Sequence, residues 1–275
     1  MTKIKLALCQ MNVIDNKKAN LEKASSMIVD SVDNNADFIV LPEMFNCPYS
    51  NDKFIEYAED ERESPTLNEI SALARDNDVY ILAGSIPEME GDKIFNTSYL
   101  FGKDGRIMAK HRKMHLFDID VKDKITFKES DVLTAGDGFT LAETEFGKIG
   151  IGICYDVRFV ELARIMVENG ALILFYPGAF NMTTGPAHWE LLFRARALDN
   201  QVFCVGVAPA LNSDASYHSY GHSIVTNPWG EVVAQGDEKE SLIICEIDLG
   251  EIKKIREEIP LLKNKRNDLY EVIRK

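Results

Sequence analysis

The amino-acid sequence predicts an α/β fold in which two mixed β-sheets pack face to face between outer helices, a four-layer αββα sandwich. Three observations support this prediction. Strand-like and helix-like segments alternate along the chain, two hairpin signals indicate antiparallel neighbours, and one strand–helix–strand unit is loosely repeated. Crossovers through helices favour parallel strand pairs and hairpins favour antiparallel ones, so the combination predicts mixed sheets.

The first unit of the repeat begins with a strand over residues 4–9, where apolar and polar residues alternate. A continuous apolar strand at 38–41 ends it. The helix between them is indicated by apolar residues at helical spacing, at Leu21, Ala24, Ile28 and Val32.

A helix over 67–75 and a strand at 80–83 come next. Ser64, Pro65 and Thr66 form the helix start signal. The two hairpins are predicted from turn residues between apolar segments, with strands at 97–101 and 107–110 and at 223–226 and 232–234.

The second unit of the repeat has a strand at 148–153, a helix at 160–167 and an apolar strand from Ile173. Both units end as apolar strand, proline, two residues and phenylalanine, at 42–45 and 177–180. Strands often end at proline, so chance is an alternative explanation. If the repeat is genuine, it predicts two similar sheets with functional groups at the strand ends.

Composition limits the classes of protein and partner. The chain has 275 residues, 45% of them hydrophobic, and no linker divides it, which predicts a single domain over residues 1–275. No apolar run approaches the roughly 18–20 residues of a membrane span, and the N-terminus lacks a secretory signal, so we expect a cytoplasmic protein. A net charge of −13 disfavours nucleic acid and anionic membranes as partners.

The five cysteines agree with a reducing compartment, since their number is odd and none forms a CxxC pair. Cys9, Cys204 and Cys245 lie in strand-like apolar segments and are expected to be buried. The sequence has no cluster of metal ligands, and we expect no metal or organic cofactor.

Glu43 follows directly after the apolar strand and Pro42. Partial burial at the end of a strand raises the pKa of a glutamate and makes it a useful base near neutral pH. The alternative is a solvated loop glutamate.

A basic segment stands out in this acidic chain. Alternation along the segment separates His111 and Lys113 from Lys110, Arg112 and His115, so one subset can face inward. An inward lysine needs an anionic partner or a shifted pKa. The alternative is an exposed basic edge strand.

Cys154 ends a glycine-bearing apolar strand and precedes a helix rich in apolar residues. The start of a helix favours a thiolate through its dipole and free N–H groups. The backbone N–H of Tyr155 can then stabilise a developing oxyanion, as in a nucleophile elbow. The alternative is a buried structural cysteine.

Together these segments resemble the nitrilase superfamily of carbon–nitrogen hydrolases. Its Glu, Lys and Cys blocks are similar, in order, to LPEMF, HRKMHLFD and GICYDVRF. The resemblance continues through YPGAFN, GPAHWELLFRARALDNQ and NPWGEV, and it is closest to the omega-amidase branch in HLFDIDVKDKITFKES, TTGPAHWELL and KNKRNDLY.

The resemblance implies that Glu43, Lys113 and Cys154 are catalytic and that Glu129 is a further catalytic glutamate. It implies cleavage of the terminal amide of a short, carboxylate-bearing molecule, through a thioester on Cys154. Another amide, a carbamoyl compound or a nitrile is the alternative substrate.

For the substrate carboxylate, Arg158 is the candidate, because it lies four residues past Cys154 and can grip a carboxylate in bidentate fashion. Tyr49 is a candidate hydroxyl donor. The alternative is that Arg158 pairs with Glu161 or another acid.

The resemblance also implies a homodimer or larger homo-oligomer that meets through the helix after the Cys block. That helix carries an apolar stripe of Phe159, Leu162, Ile165 and Met166, for which intramolecular packing is the alternative.

Two other functions are alternatives. A papain-like Cys–His hydrolase would use one of His188, His218 and His222, but no papain-type Cys block accompanies them. A non-catalytic binding scaffold is disfavoured because all four catalytic positions are intact.

Overall fold

Two β-sheets packed face to face form the centre of the computed structural model, which describes residues 3–273. The N-terminal part supplies β1 (Lys3–Gln10), α1 (Lys17–Asp33), β2 (Phe38–Val40), α2 (Asn51–Tyr57), β3 (Glu59–Asp60), α3 (Pro65–Asn77), β4 (Tyr80–Leu82), β5 (Ile86–Glu90), β6 (Lys93–Phe101), β7 (Ile107–Arg112), β8 (Asp118–Val121) and β9 (Ile125–Lys128). The C-terminal part supplies β10 (Thr140–Thr144), β11 (Gly147–Ile151), α4 (Val160–Glu168), β12 (Ile173–Pro177), α5 (Gly185–Asn200), β13 (Phe203–Val207), β14 (Ile224–Thr226), β15 (Val232–Gln235), β16 (Ser241–Asp248), α6 (Gly250–Glu258) and α7 (Leu261–Asn264). Short 3-10 turns lie at Glu129–Asp131 and Cys154–Arg158.

The two large sheets share one central topology. In the first, β1, β2 and β4 are parallel neighbours, and β16 and β6 flank them antiparallel. In the second, β11, β12 and β13 are parallel neighbours, and β10 and β14 flank them antiparallel. The loose sequence repeat therefore has a structural counterpart, with β2 and β12 as the matching central strands.

The layers are held together by three apolar cores. Between the sheets, the ring of Phe38 stacks on Phe175 with centroids 4.7 Å apart. Helices α1 and α3 cover the outer face of the first sheet, and α4 and α5 cover that of the second. Each large side chain buried in this way contributes about 1.5–3 kcal/mol. The predicted αββα sandwich is confirmed.

Local sequence signals predict the positions of most helices and strands correctly. Ser64 caps α3, since its Oγ accepts a hydrogen bond from the backbone N–H of Leu67 at 2.9 Å. Both predicted hairpins form, as β6–β7 and β14–β15. The β8–β9 hairpin has no counterpart among the predicted elements, because four-residue strands outside both large sheets leave too little pattern. None of the helices within residues 3–273 has the length and hydrophobicity of a membrane-spanning segment.

The apolar stripe on and before α4, which was expected to contact another subunit, packs mostly against other parts of the same chain. Leu162 and Met166 are buried against the second sheet and α5. The ring of Phe159 stacks on His115 with centroids 3.5 Å apart. The stripe is therefore explained largely by intramolecular packing, and of this region Val160 is the exposed apolar residue, at 47%.

Candidate active site

Glu43 is fully buried just beyond the end of β2. Its Oε1 accepts hydrogen bonds from Lys113 Nζ at 2.9 Å and Asn96 Nδ2 at 2.8 Å, and its Oε2 accepts from the backbone N–H of Ala179 at 2.7 Å. Burial raises the pKa of Glu43, and the charge of Lys113 only partly opposes this effect. The burial and the raised pKa agree with the sequence analysis, and the role of Glu43 as a base stays a prediction.

Lys113 follows β7, and the predicted alternation is observed. His111 and Lys113 are fully buried, whereas Lys110 and Arg112 are partly exposed. Burial alone would lower the pKa of Lys113, but two carboxylates outweigh it and the pKa is raised. The ammonium group therefore stays charged in the interior.

Glu129 is the second carboxylate partner of Lys113, at 2.9 Å, and opens the 3-10 turn after β9. Its Oε1 also accepts a hydrogen bond from the Tyr49 hydroxyl at 2.6 Å, and its Oε2 accepts one from the backbone N–H of Phe117 at 2.6 Å. In this geometry the hydroxyl of Tyr49 donates to Glu129, so Tyr49 orients that carboxylate. The expectation that Tyr49 offers its hydroxyl to the substrate stays a prediction and would require this bond to break.

Cys154 lies at the first position of a tight turn with a positive φ of 47°. This conformation is strained for a side chain with a Cβ and is typical of functional sites. Gly178, just after β12, permits the close approach, because a Cβ there would lie 3.1 Å from the Cys154 Cα. Glu43 is close enough for its charge to raise the pKa of the Cys154 thiol.

The resting site favours the thiol over the thiolate. Burial, followed by the charge of Glu43, raises the pKa of Cys154 well above its ordinary value, although Lys113 opposes them. The thiolate-favouring effect of a helix start is small here, because a five-residue turn offers only a weak dipole against desolvation. Transfer of the thiol proton to Glu43 stays a prediction.

Asp156 is a structural residue that the sequence reasoning missed. Its Oδ2 accepts hydrogen bonds from the backbone N–H of Ile153 at 2.9 Å and from His111 Nε2 at 3.0 Å, and its Oδ1 contacts His115 Nδ1 at 2.8 Å. Burial acts to raise the pKa of Asp156, but the bonds from the two histidines outweigh it and the pKa is lowered. Asp156 thus ties the turn of Cys154 to the segment that carries Lys113. A signal existed, since an acid two residues after the turn begins often caps its own backbone.

Arg158 ends the turn of Cys154 and is partly buried. Its Nη1 lies 3.2 Å from His188 Nδ1, and its guanidinium carbon lies 4.7 Å from the ring centroid of Phe180 and 5.5 Å from that of Tyr155. Within residues 3–273 no carboxylate pairs with it, so the alternative of a Glu161 ion pair is wrong. Its Nε is buried without a hydrogen-bond partner.

A narrow cavity reaches Glu43 from the surface between Tyr49, Tyr217 and Ser219. It shares Val13, Pro48, Asn212 and Ala215 with a wider surface cavity of ≈ 440 Å³. A separate cavity of ≈ 530 Å³ lies between α4, α5 and the C-terminal segment, and none of the predicted site residues line it. Of these three cavities, the narrow one is lined by Glu43 and Tyr49.

Known proteins match this chain over nearly its full length. The family model described as carbon-nitrogen hydrolase matches residues 5–257. The chain belongs to the carbon-nitrogen hydrolase family. It is 48% identical to omega-amidase NIT2 of Bos taurus over 272 residues, covering 99% of this chain and 98% of that protein. It is also 48% identical to the chloroplastic omega-amidase of Arabidopsis thaliana over 277 residues, covering 99% of this chain and 75% of that protein.

A solved structure supports the same assignment. The crystal structure of Saccharomyces cerevisiae Nit3, described as a member of branch 10 of the nitrilase superfamily, has a TM-score of 0.89 and 42% sequence identity. It covers 96% of this chain and 97% of that one. The predicted resemblance to the nitrilase superfamily is confirmed, and the protein is a carbon–nitrogen hydrolase that acts on bonds other than peptide bonds.

In this carbon–nitrogen hydrolase the residues that sequence reasoning proposed for catalysis meet at one place. The structure brings Glu43, Lys113 and Glu129 into direct contact and sets Cys154 beside Glu43. Two of the histidines considered for a papain-like hydrolase have other partners. His188 contacts Arg158, and His222 Nδ1 contacts the carbonyl of Tyr220 at 2.7 Å.

Proposed function

We propose that the protein is an omega-amidase that hydrolyses the terminal amide of a short molecule with a carboxylate at its other end, such as succinamate or α-ketoglutaramate. The observation that carries this proposal is Arg158, a partly buried cation in the turn of Cys154 that has no acidic partner among residues 3–273. A free carboxylate on the substrate would supply that partner. The similarity to omega-amidases supports the same class of substrate.

The first half of the proposed reaction forms a thioester. Glu43 accepts the thiol proton as Cys154 Sγ attacks the amide carbonyl carbon. Lys113 Nζ and the backbone N–H of Tyr155 stabilise the oxyanion of the tetrahedral intermediate. Glu43 returns the proton to the leaving nitrogen, the C–N bond breaks, and ammonia departs.

The second half consumes one water molecule. Glu43 takes a proton from the water, whose oxygen attacks the thioester carbonyl. The new tetrahedral intermediate collapses, the C–S bond breaks, and the sulfur recovers its proton from Glu43. The products are a dicarboxylate and ammonia. Each step uses side chains of this site, and the expectation that no cofactor takes part stays a prediction.

The two carboxylates beside Lys113 suit it to stabilise the oxyanion. Glu43 and Glu129 keep the ammonium charged, and Glu43 becomes neutral when it takes the thiol proton. The field of Lys113 is then less compensated just as the oxyanion forms. Stabilisation therefore grows in the transition state, where it accelerates the reaction.

A substrate comparison tests the proposal. Ammonia release is measured with succinamate and with butyramide, an uncharged amide of similar length, in wild type and in Arg158→Ala. Wild type is expected to prefer succinamate, and the variant to lose about 1.5–3 kcal/mol of that preference, the scale of a charge-assisted hydrogen bond. A wild type that prefers butyramide, or a carbamoyl compound or nitrile, would remove the omega-amidase assignment. An equal loss on both substrates would give Arg158 a structural role.

We also propose a homodimer or larger closed homo-oligomer in the cytoplasm. Exposed apolar side chains near the C-terminal end of the chain and on α5 support an interface, namely Leu191, Leu198, Leu269 and Tyr270. A nucleophilic thiol that must stay reduced supports a reducing compartment. Light scattering that reports a monomer of 31.0 kDa at micromolar concentration would contradict the oligomer.

A further inference from the structure

We propose that His188 is a positioning residue that holds the Arg158 guanidinium in place without neutralising its charge, and so lets the enzyme select substrates with a free carboxylate. This inference rests on the proposed function, in which Arg158 binds that carboxylate. It concerns a residue that takes no part in the chemical steps. A single hydrogen bond joins the two side chains.

The bond fixes the protonation of the imidazole. Arg158 Nη1 lies 3.2 Å from His188 Nδ1, and a guanidinium can only donate hydrogen bonds. Nδ1 must therefore carry its lone pair, which makes the ring neutral with its proton on Nε2. Burial and then the charge of Arg158 lower the pKa of His188, in agreement with a neutral ring.

The other neighbours of Arg158 are neutral as well. Its guanidinium packs against the rings of Phe180 and Tyr155, and the nearby thiol of Cys154 is protonated. Buried cations in proteins are normally paired with acids, because desolvation of an unpaired charge is costly. Here the arginine is oriented by a neutral acceptor and two aromatic faces, and its Nε has no hydrogen-bond partner. Within residues 3–273 no acid therefore neutralises its charge.

The backbone around His188 makes it a firm support. His188 lies in the first turn of α5, where its N–H donates to the carbonyl of Thr184 at 2.9 Å. The next residue, Trp189, is fully buried and its Nε1 donates to the carbonyl of His222 at 2.6 Å. The partial positive charge at the start of a 16-residue helix further disfavours a protonated imidazole.

A pair of substitutions separates the charge of this acceptor from its shape. The Oδ1 of His188→Asn can take the place of Nδ1 and stays neutral, whereas His188→Asp offers a similar oxygen with a negative charge. The readout is the ratio of kcat/KM for succinamate to that for butyramide. His188→Asp is expected to lower this ratio by about 10-fold or more, because the introduced carboxylate competes for Arg158. His188→Asn is expected to keep it within about threefold.

A matched control places the same charge elsewhere. His218 is exposed, so His218→Asp adds an equal negative charge without touching Arg158 and should leave the ratio unchanged. A comparable fall in His218→Asp would mean a general charge effect and would overturn the proposal. Equal falls in His188→Asn and His188→Asp would also overturn it, since charge would then be irrelevant.

The same ratio measured in Arg158→Ala distinguishes the role of His188 from the proposed function on which it rests. If wild type shows no preference for succinamate, or if Arg158→Ala keeps that preference, the proposed role of Arg158 fails. If Arg158→Ala loses the preference while folded His188→Asp keeps it, only the role of His188 fails. Thermal unfolding checks the fold of each variant. Should His188→Asp not fold, His188→Ala replaces it: loss of the acceptor should lower the ratio at least threefold, and an unchanged ratio would overturn the proposal.

Discussion

Lys113, which is fully buried, and Arg158, which is partly buried, are two cations with opposite surroundings. Lys113 has no exposed surface and lies 2.9 Å from each of two carboxylates, Glu43 and Glu129. Arg158 is held by a neutral imidazole and two aromatic rings. The surroundings raise the pKa of the lysine, and desolvation lowers that of the arginine.

The difference in surroundings suits the two cations to different roles. The charge of Lys113 is compensated in the resting enzyme and becomes available when Glu43 takes up a proton, so it suits a developing oxyanion. The charge of Arg158 has no compensation before a ligand arrives, so it suits a permanent anion on the substrate. One cation would stabilise the transition state and the other would select the substrate.

The largest effect is expected from Cys154→Ala, which removes the group that Lys113 and Glu43 are proposed to serve. Turnover should fall by about 10⁴-fold or more, because no other side chain can form the thioester. The fold should remain, since the change in volume is small. Ammonia release and circular dichroism measure the two outcomes. Retention of even a tenth of the activity in pure, folded variant would sink the covalent mechanism.

Glu43→Gln should be nearly as damaging and should also alter the resting thiol. Because Glu43 is proposed to act as base and then as acid, its loss predicts a fall in kcat of about 10²–10⁴-fold. The pKa of Cys154 should fall at the same time, because the charge of Glu43 raises it and Lys113 lowers it. A titration followed by thiolate absorbance would show this. If the pKa of the thiol stays as high as in wild type, the charge of Glu43 does not act on Cys154, which would contradict this prediction.

The two cations should differ sharply in their effect on stability. Lys113→Met leaves two buried carboxylates without their partner and is expected to destabilise the protein by about 3–5 kcal/mol. The matched Arg158→Met leaves no acid unpaired and should change stability by less than about 1 kcal/mol. Urea unfolding of both variants gives the comparison. Similar losses would show that Arg158 is as much a part of the structure as Lys113.

Smaller effects are expected in the outer support of Lys113. Tyr49→Phe removes one hydrogen bond to Glu129 and should lower kcat by about 10-fold or less, equally for succinamate and butyramide. Glu129→Gln should cost less than Glu43→Gln, since Glu129 acts through the position and charge of Lys113. Steady-state kinetics on both amides measure these losses. A loss confined to succinamate in Tyr49→Phe would restore the tyrosine as a carboxylate ligand.

The fold could be predicted because its evidence is local. Alternation and apolar runs located β1 and β2. Their positions after a strand or within an alternating segment made Glu43, Lys113 and Cys154 candidates, and the resemblance to the nitrilase superfamily implied their catalytic roles. Contacts between distant segments left no such pattern. Asn96 approaches Glu43 across 53 positions, and His188 approaches Arg158 across 30. The strength of the desolvation at Cys154 could not be read from the sequence for the same reason, because it depends on all the layers that close over the turn.

Ground-state binding tests the central claim, that Arg158 carries a charge reserved for the substrate. Succinamate and butyramide are titrated calorimetrically into Cys154→Ala, with and without Arg158→Met, so that binding is seen apart from turnover. Loss of the guanidinium should weaken succinamate by roughly 10- to 150-fold, and butyramide by less than about threefold. Equal weakening of both amides, or no weakening of succinamate, would contradict the account.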